Sequence, residues 1–219
     1  MALIHGSLQH VTVVYLQGRS HLTPLSSFLS KFPNEHVLHN IPIPCLRLLS
    51  WWASALAIPN PTCTLVELPK RDLDIWVDTS TSWGLGLCIG NKWASWCLLE
   101  GWDCNGRDIG WAETIALELA VLWLTQSGWH DCSLKIHCDN TSIIAYFWKG
   151  HSRNPSRNDS LARSTSCLTA SNISICPTYV QSSLNRANPF SRGLSGDEGC
   201  CVIPNIVLPI ELSRFIESV

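Results

Sequence analysis

The segment that most constrains this chain is Trp111–Gln126. It is apolar around most of a helical circumference, with Glu113 and Glu118 its only charges. A helix that is hydrophobic nearly all round is largely buried, so the rest of the chain must cover it. Gly128 is a plausible stop just beyond it. The flanking sequence supplies that cover. Asp74–Asp78 alternates and is β-rich, which predicts a strand. Thr79–Trp83 is small and polar, which suits a turn. Gly84–Ile89 and Lys92–Leu98 read as strands joined by a tight Gly90-Asn91 turn. After the helix, Leu134–Cys138 reads as a fourth strand. Asn140 or Thr141 caps a helix running to Lys149. Arg157–Ala170 is a further helix and Ile173–Val180 a fifth strand. The order β-β-β-α-β-α-α-β predicts an α/β fold, a mixed five-stranded sheet with helices packed on it.

The 219 residues suggest one or two domains. Residues 1–70 form a small, mostly helical or irregular segment, with a helix-like stretch at Leu46–Leu56 and a breaker run at Pro59-Asn60-Pro61. Residues 71–193 carry the strand and helix alternation. Residues 194–219 open on Gly and Ser, then give a Pro-punctuated apolar stretch and a short helix over Glu211–Val219. Charged residues are 15% of the chain and apolar ones 46%, against roughly 25% charged in average proteins. That balance excludes a disordered chain. No C-x-x-C pair exists, and the spacings Cys97…Cys104 and Cys132…Cys138 make no zinc framework, so the cysteines read as buried and structural. Met1–His10 has no charged region leading into a long apolar run, so no signal peptide is expected. No uncharged apolar stretch reaches about 18 residues, so no membrane span is expected either. The expectation is an intracellular protein with reduced thiols.

Three carboxylates stand out. Asp78 ends the first strand and Asp139 the fourth, and ligands of α/β sheets bind at the carboxyl ends of strands. Glu113 sits in the first turns of the buried helix, with no Lys or Arg at helical spacing to neutralise it. An unpaired buried carboxylate is strongly unfavourable. A cation gathering all three acids would resolve this. Three carboxylates around a hard cation is Mg²⁺ chemistry, and a pair of such ions can activate water and stabilise the leaving oxygen of a phosphodiester. Alone, Asp78 could be a turn residue and Asp139 a helix cap. The joint placement carries the argument.

The chain here resembles the ribonuclease H domain of long-terminal-repeat retrotransposon polyproteins, of the kind common in fungi. The resemblance rests on Val77-Asp78-Thr79-Ser80 with Trp83-Gly84-Leu85-Gly86, Trp93-Ala94-Ser95-Trp96, Arg107 to Glu113, Cys138-Asp139-Asn140, Ser152-Arg153-Asn154-Pro155, and Asn185 to Gly193. Together these span nearly all of residues 73–193. The resemblance implies a ribonuclease H-like fold and endonucleolytic cleavage of RNA in an RNA/DNA hybrid, with Mg²⁺ or Mn²⁺ on Asp78, Glu113 and Asp139. The family's fourth carboxylate falls at Asn188, which implies a weaker, uncharged ligand there. Asp197 and Glu198 lie nearby as substitutes. Leu16-Gln17-Gly18-Arg19, Leu25–Leu29 and Leu48–Trp52 are similar to the connection that precedes this domain in retroelement reverse transcriptases and holds the hybrid. No paired-Asp polymerase motif is present, so no polymerase activity is expected. The alternative is a weakened or inactive nucleic-acid-binding remnant. An integrase or transposase is disfavoured, because residues 170–180 lack the late acid that such enzymes place there.

Charge distribution points the same way. The chain carries a net −2, yet Lys135–Arg192 holds seven basic residues against Asp139 and Asp159, a local excess of +5. This is either a solvated face or the footprint of a phosphate backbone. Arg153, Asn154 and Arg157 at a helix start would suit phosphate oxygens. Ser80 and Asn140 complete the expected nucleic-acid contacts with Gly84, which, like Gly86, permits close backbone approach. Recognition of a hybrid would be by shape and 2′-hydroxyls.

Overall fold

The computed structural model describes residues 1–15, 18–32, 38–57, 67–196, 200–204 and 206–219. Leu16, Gln17, the Pro59-Asn60-Pro61 run, Asp197 and Glu198 fall outside these ranges. The N-terminal segment contains α1 (Ala2–Val11), α2 (Thr23–Leu29) and α3 (Ile43–Ala57). Next come β1 (Lys70–Thr79), β2 (Gly84–Ile89), β3 (Lys92–Leu98), α4 (Ile109–Gln126), β4 (Cys132–Cys138), α5 (Thr141–Lys149), α6 (Pro155–Ala170) and β5 (Ile173–Tyr179). Two short strands, β6 (Cys201–Val202) and β7 (Ile216–Ser218), close the chain.

The sheet is mixed and open, ordered β5-β4-β1-β2-β3-β6, with β7 also on β3. β1, β2 and β3 are antiparallel neighbours. β4 runs parallel to both β1 and β5. α4 lies between the β1–β2 part of the sheet and α6. Both of its sides are therefore covered, which explains why it is apolar all round. Ile115, Leu119 and Leu124 of α4 and Ile75, Leu85 and Leu87 of the strands are all fully buried.

The sheet has two strands more than the five expected. The tail is also no helix over Glu211–Val219. It makes turns and then pairs β7 with β3 at Trp96–Leu98, while β6 takes the same edge at Lys92–Trp93. The physical reason is the free edge of β3: an open hairpin edge exposes unpaired N–H and C=O groups, and burial of Ile203, Leu212 and Ile216 anchors the tail over it. β1 begins earlier than Asp74. Asp74 takes a left-handed conformation (φ 54°), and the pairing with β4 shifts register between Arg71 and Ile75. Such a bulge breaks the alternation on which the shorter reading rested.

α1, α2 and α3 enclose a separate small core of Leu8, Leu22, Leu25, Phe28, Leu48 and Trp52. This segment docks on α6 through Asn158, whose Nδ2 donates to Thr23 Oγ1 at 3.0 Å. The same amide holds Ser152, accepting from its N–H at 2.6 Å and donating to its carbonyl at 2.8 Å. Among the described residues no helix is long and apolar enough to cross a membrane.

Candidate functional site

Asp78 and Asp139 come together because β1 and β4 run side by side in the same direction. Trp76 pairs with His137, and each aspartate lies two residues further on, at the carboxyl ends of the strands. Glu113 arrives from the other layer. Asp108 caps α4, its side chain accepting from Trp111 N at 2.9 Å, so the helix starts at Ile109 and carries Glu113 on its first turns. Asp78, Thr79, Glu113, Asp139 and Asn140 line one small cavity, floored by Val77, Ala116, Leu117 and Ile143. Its free volume is about 10 Å³, room for about one water.

The cavity is electrostatically unsettled. Burial raises the Asp78 carboxyl above its ordinary range, a hydrogen bond from Ser191 opposes the rise, and the charge of Asp139 adds to it. Glu113 is likewise raised by burial, opposed by Asn140, and pushed further by Asp139 and Asp78. Burial pushes the Cys138 thiol up to about 12, keeping it neutral. Among the described residues none of the three carboxylates forms an ion pair.

Two residues that the sequence reading passed over hold Asp78. Ser191 Oγ donates to Asp78 Oδ2. Asn185 Nδ2 donates to the Val77 carbonyl at 2.9 Å and to Asp78 Oδ1 at 3.3 Å. Both belong to the same Asn185–Gly193 stretch as Asn188. Asn188 itself is not brought to the cavity. Its Nδ2 donates to the Ser182 carbonyl at 2.6 Å, and its Oδ1 accepts from Arg192 at 3.2 Å.

Several expected nucleic-acid contacts are committed inside the protein. Gly84 does permit a close approach, but of β3: a Cβ there would meet the Trp96 carbonyl oxygen at 1.9 Å. Gly86 makes room for the Ala187–Ser191 backbone in the same way. Arg157 grips both oxygens of Asp108 at 2.7 Å and lies over the Tyr146 ring. Asn154 caps α6 through Ser156 N at 2.9 Å and donates to the Gly106 carbonyl at 2.6 Å. Asn140 caps α5 through Ser142 N at 2.8 Å while its Nδ2 donates to Glu113 at 2.5 Å. It positions Glu113. Ser80 is in the β1–β2 turn, its hydroxyl shared with Ser82 at 2.7 Å. Arg153 alone of this set is exposed and without an ion pair among the described residues.

The donor chemistry of the cavity suits a hard cation. It offers three carboxylates, and the Thr79 hydroxyl is buried there without a hydrogen-bond partner among the described residues. Among the described residues no group of three or more His, Cys, Asp or Glu side chains is placed so as to hold a metal ion. Magnesium commonly takes one or two carboxylates and keeps several waters. Compared with protein-family models, with curated proteins and with solved structures, the chain matches none.

Proposed function

We propose that this protein is a ribonuclease H-type endonuclease, hydrolysing the RNA strand of RNA/DNA hybrids with Mg²⁺ or Mn²⁺ at Asp78, Glu113 and Asp139. The observation that carries the reading is the convergence of three carboxylates that form no ion pair among the described residues, two on adjacent parallel strand ends and one on the buried helix above them. A bound divalent ion would supply charge neutralisation and Lewis-acid polarisation of the scissile phosphate. The chain's own part is to aim the ligands. Ser191 and Asn185 fix the Asp78 carboxylate from one side, and Asn140 fixes Glu113 from the other. The cluster lies at the carboxyl ends of β1 and β4, the side of the sheet on which a substrate would have to approach. The retroelement resemblance of the motifs supports the same reading, with residues 1–70 as the connection-like segment.

The test is cleavage of a labelled RNA/DNA hybrid by the full chain with each metal, alongside Asp78→Asn. Metal-dependent cutting that disappears in the variant is the expected result. An inert wild-type protein under both metals sinks the catalytic reading. One observation favours a second reading, a hybrid-binding remnant without cleavage: Asn188 carries no charge and faces Ser182 and Arg192. That case predicts salt-dependent hybrid binding with no product.

A further inference from the structure

A second cavity, of about 330 Å³, opens where α1 and α2 meet the C-terminal end of α5. Arg19, Lys149, His5 and His151 line it together with the polar Gln9 and Ser26, and among the described residues no Asp or Glu does. Arg19 and Lys149 form no ion pair among the described residues. Their juxtaposition is built in. Gly150 ends α5 in a left-handed conformation (φ 71°), and the Arg19 stem lies on it so closely that a Cβ there would meet Arg19 Cδ at 3.0 Å. This brings a residue of the N-terminal segment onto the turn between Lys149 and His151. His5 Nε2 and Ser26 Oγ, 2.7 Å apart, form the facing wall.

Two permanent cations in a shared cleft repel each other unless an anion sits between them. The guanidinium fork of Arg matches phosphate oxygens, and amide and imidazole N–H groups give further donors. The volume lies at the low end of ligand pockets, roughly 300–1,000 Å³.

We propose that this cleft is a phosphoanion site, taking either a free diphosphate or successive phosphates of a nucleic-acid strand. It is separate from the carboxylate cavity. That cavity lies at the start of α5 and this cleft at its end, nine residues apart, or about 13 Å at helical rise. The assignment does not rest on the nuclease reading.

The experiment uses the full chain in chelator-treated buffer at fixed ionic strength, so that no metal bridges the ligand. Inorganic pyrophosphate is titrated by calorimetry, with acetate as the control anion. A short RNA/DNA hybrid is titrated by fluorescence anisotropy. Lys149→Gln and Arg19→Gln should each weaken binding about tenfold, the loss of one charge-assisted contact, while Asp78→Asn leaves pyrophosphate affinity unchanged. Lys149 is exposed at the helix end, so its variant keeps the fold. Arg19→Lys, which retains the charge and loses the fork, replaces Arg19→Gln if that variant melts early. Saturable pyrophosphate binding sensitive to these changes assigns a free phosphate ligand. Sensitivity of hybrid binding alone assigns the strand backbone. If neither ligand responds to either substitution, or acetate binds as tightly as pyrophosphate, the proposal is overturned.

Discussion

Glu118 and Glu113 lie five residues apart on α4, and the protein treats them in opposite ways. Glu118 is fully buried at 0% exposure. Arg163 of α6 meets it with Nε at 2.6 Å and Nη2 at 2.8 Å, and Ser160 Oγ adds a bond at 2.6 Å. Burial still pushes this carboxyl up, although Arg163 and Ser160 oppose the rise. Glu113, half-buried, receives one amide from Asn140 and faces two aspartates, with only the more distant charge of Arg157 opposing them. A carboxylate that serves only the fold is given its counterion by a neighbouring helix. Glu113 forms no ion pair among the described residues and lines a small cavity with Asp78 and Asp139. The difference separates an ion-paired acid from one without an ion pair more sharply than burial does.

That comparison can be broken in four ways, taken from the largest expected effect down. Arg163→Ala leaves Glu118 buried and unpaired, and should destabilise the protein by about 3–5 kcal/mol. The urea midpoint would fall at unchanged m-value. A loss under about 1 kcal/mol would show that Glu118 finds another partner. Ser191→Ala removes a donor to Asp78 and should weaken Mg²⁺ binding and hybrid cleavage roughly 10–100-fold, with the melting temperature nearly kept. An equal loss of melting temperature would make Ser191 a packing residue instead.

Glu113→Gln tests the uncompensated side. The Glu113 carboxyl is raised in the folded state by burial and by the nearby aspartates. Its contribution to stability is therefore fully present below the unfolded value, near pH 4.3, and is lost as pH rises through the higher folded value. Metal-free Glu113→Gln should melt above the wild type at pH 7, with the gap closing toward pH 4. A variant that melts lower at pH 7 refutes the strain assigned to this cavity. The smallest effect belongs to Asn188→Asp. Asn188 is turned toward Arg192, so a carboxylate there gains only a surface ion pair worth about 0.2–1 kcal/mol, and cleavage should change less than about threefold. A large gain in activity would mean that this segment re-aims its side chain toward the cavity.

Much of the architecture was legible because its signals are local. β2 and β3 have the expected limits, since alternation and the Gly90-Asn91 turn need no distant partner. α5 starts at the expected cap because Asn140 bonds the N–H groups of Ser142 and Ile143, two and three residues ahead. Asp78, Glu113 and Asp139 were legible through placement, an acid at a strand end or on an apolar helix being anomalous in itself. The edge strands β6 and β7 were not legible, because two or three residues carry no periodicity and pair only with a β3 edge far along the chain. Asn185 and Ser191 were missed for a similar reason: their bonds to Asp78 span more than 100 residues of sequence. The basic stretch misled in part. Arg157, Arg163 and Arg186 are spent on Asp108, Glu118 and Asp74, a fate that charge counting along the chain cannot show.

The sequence by itself determined the order of elements from β1 to β5, the need to bury α4 on both sides, and the three acids at its start and at the ends of β1 and β4. These follow from periodicity, capping and the energetic anomaly of a charge on an apolar element, all read within a few residues. Only the tertiary structure decided which of those charges are neutralised and which basic residues stay free, and where the tail closes the sheet. Pairing across layers depends on which helix faces which, and the α4–α6 packing gives Glu118 an ion pair with Arg163 while Glu113 forms none among the described residues.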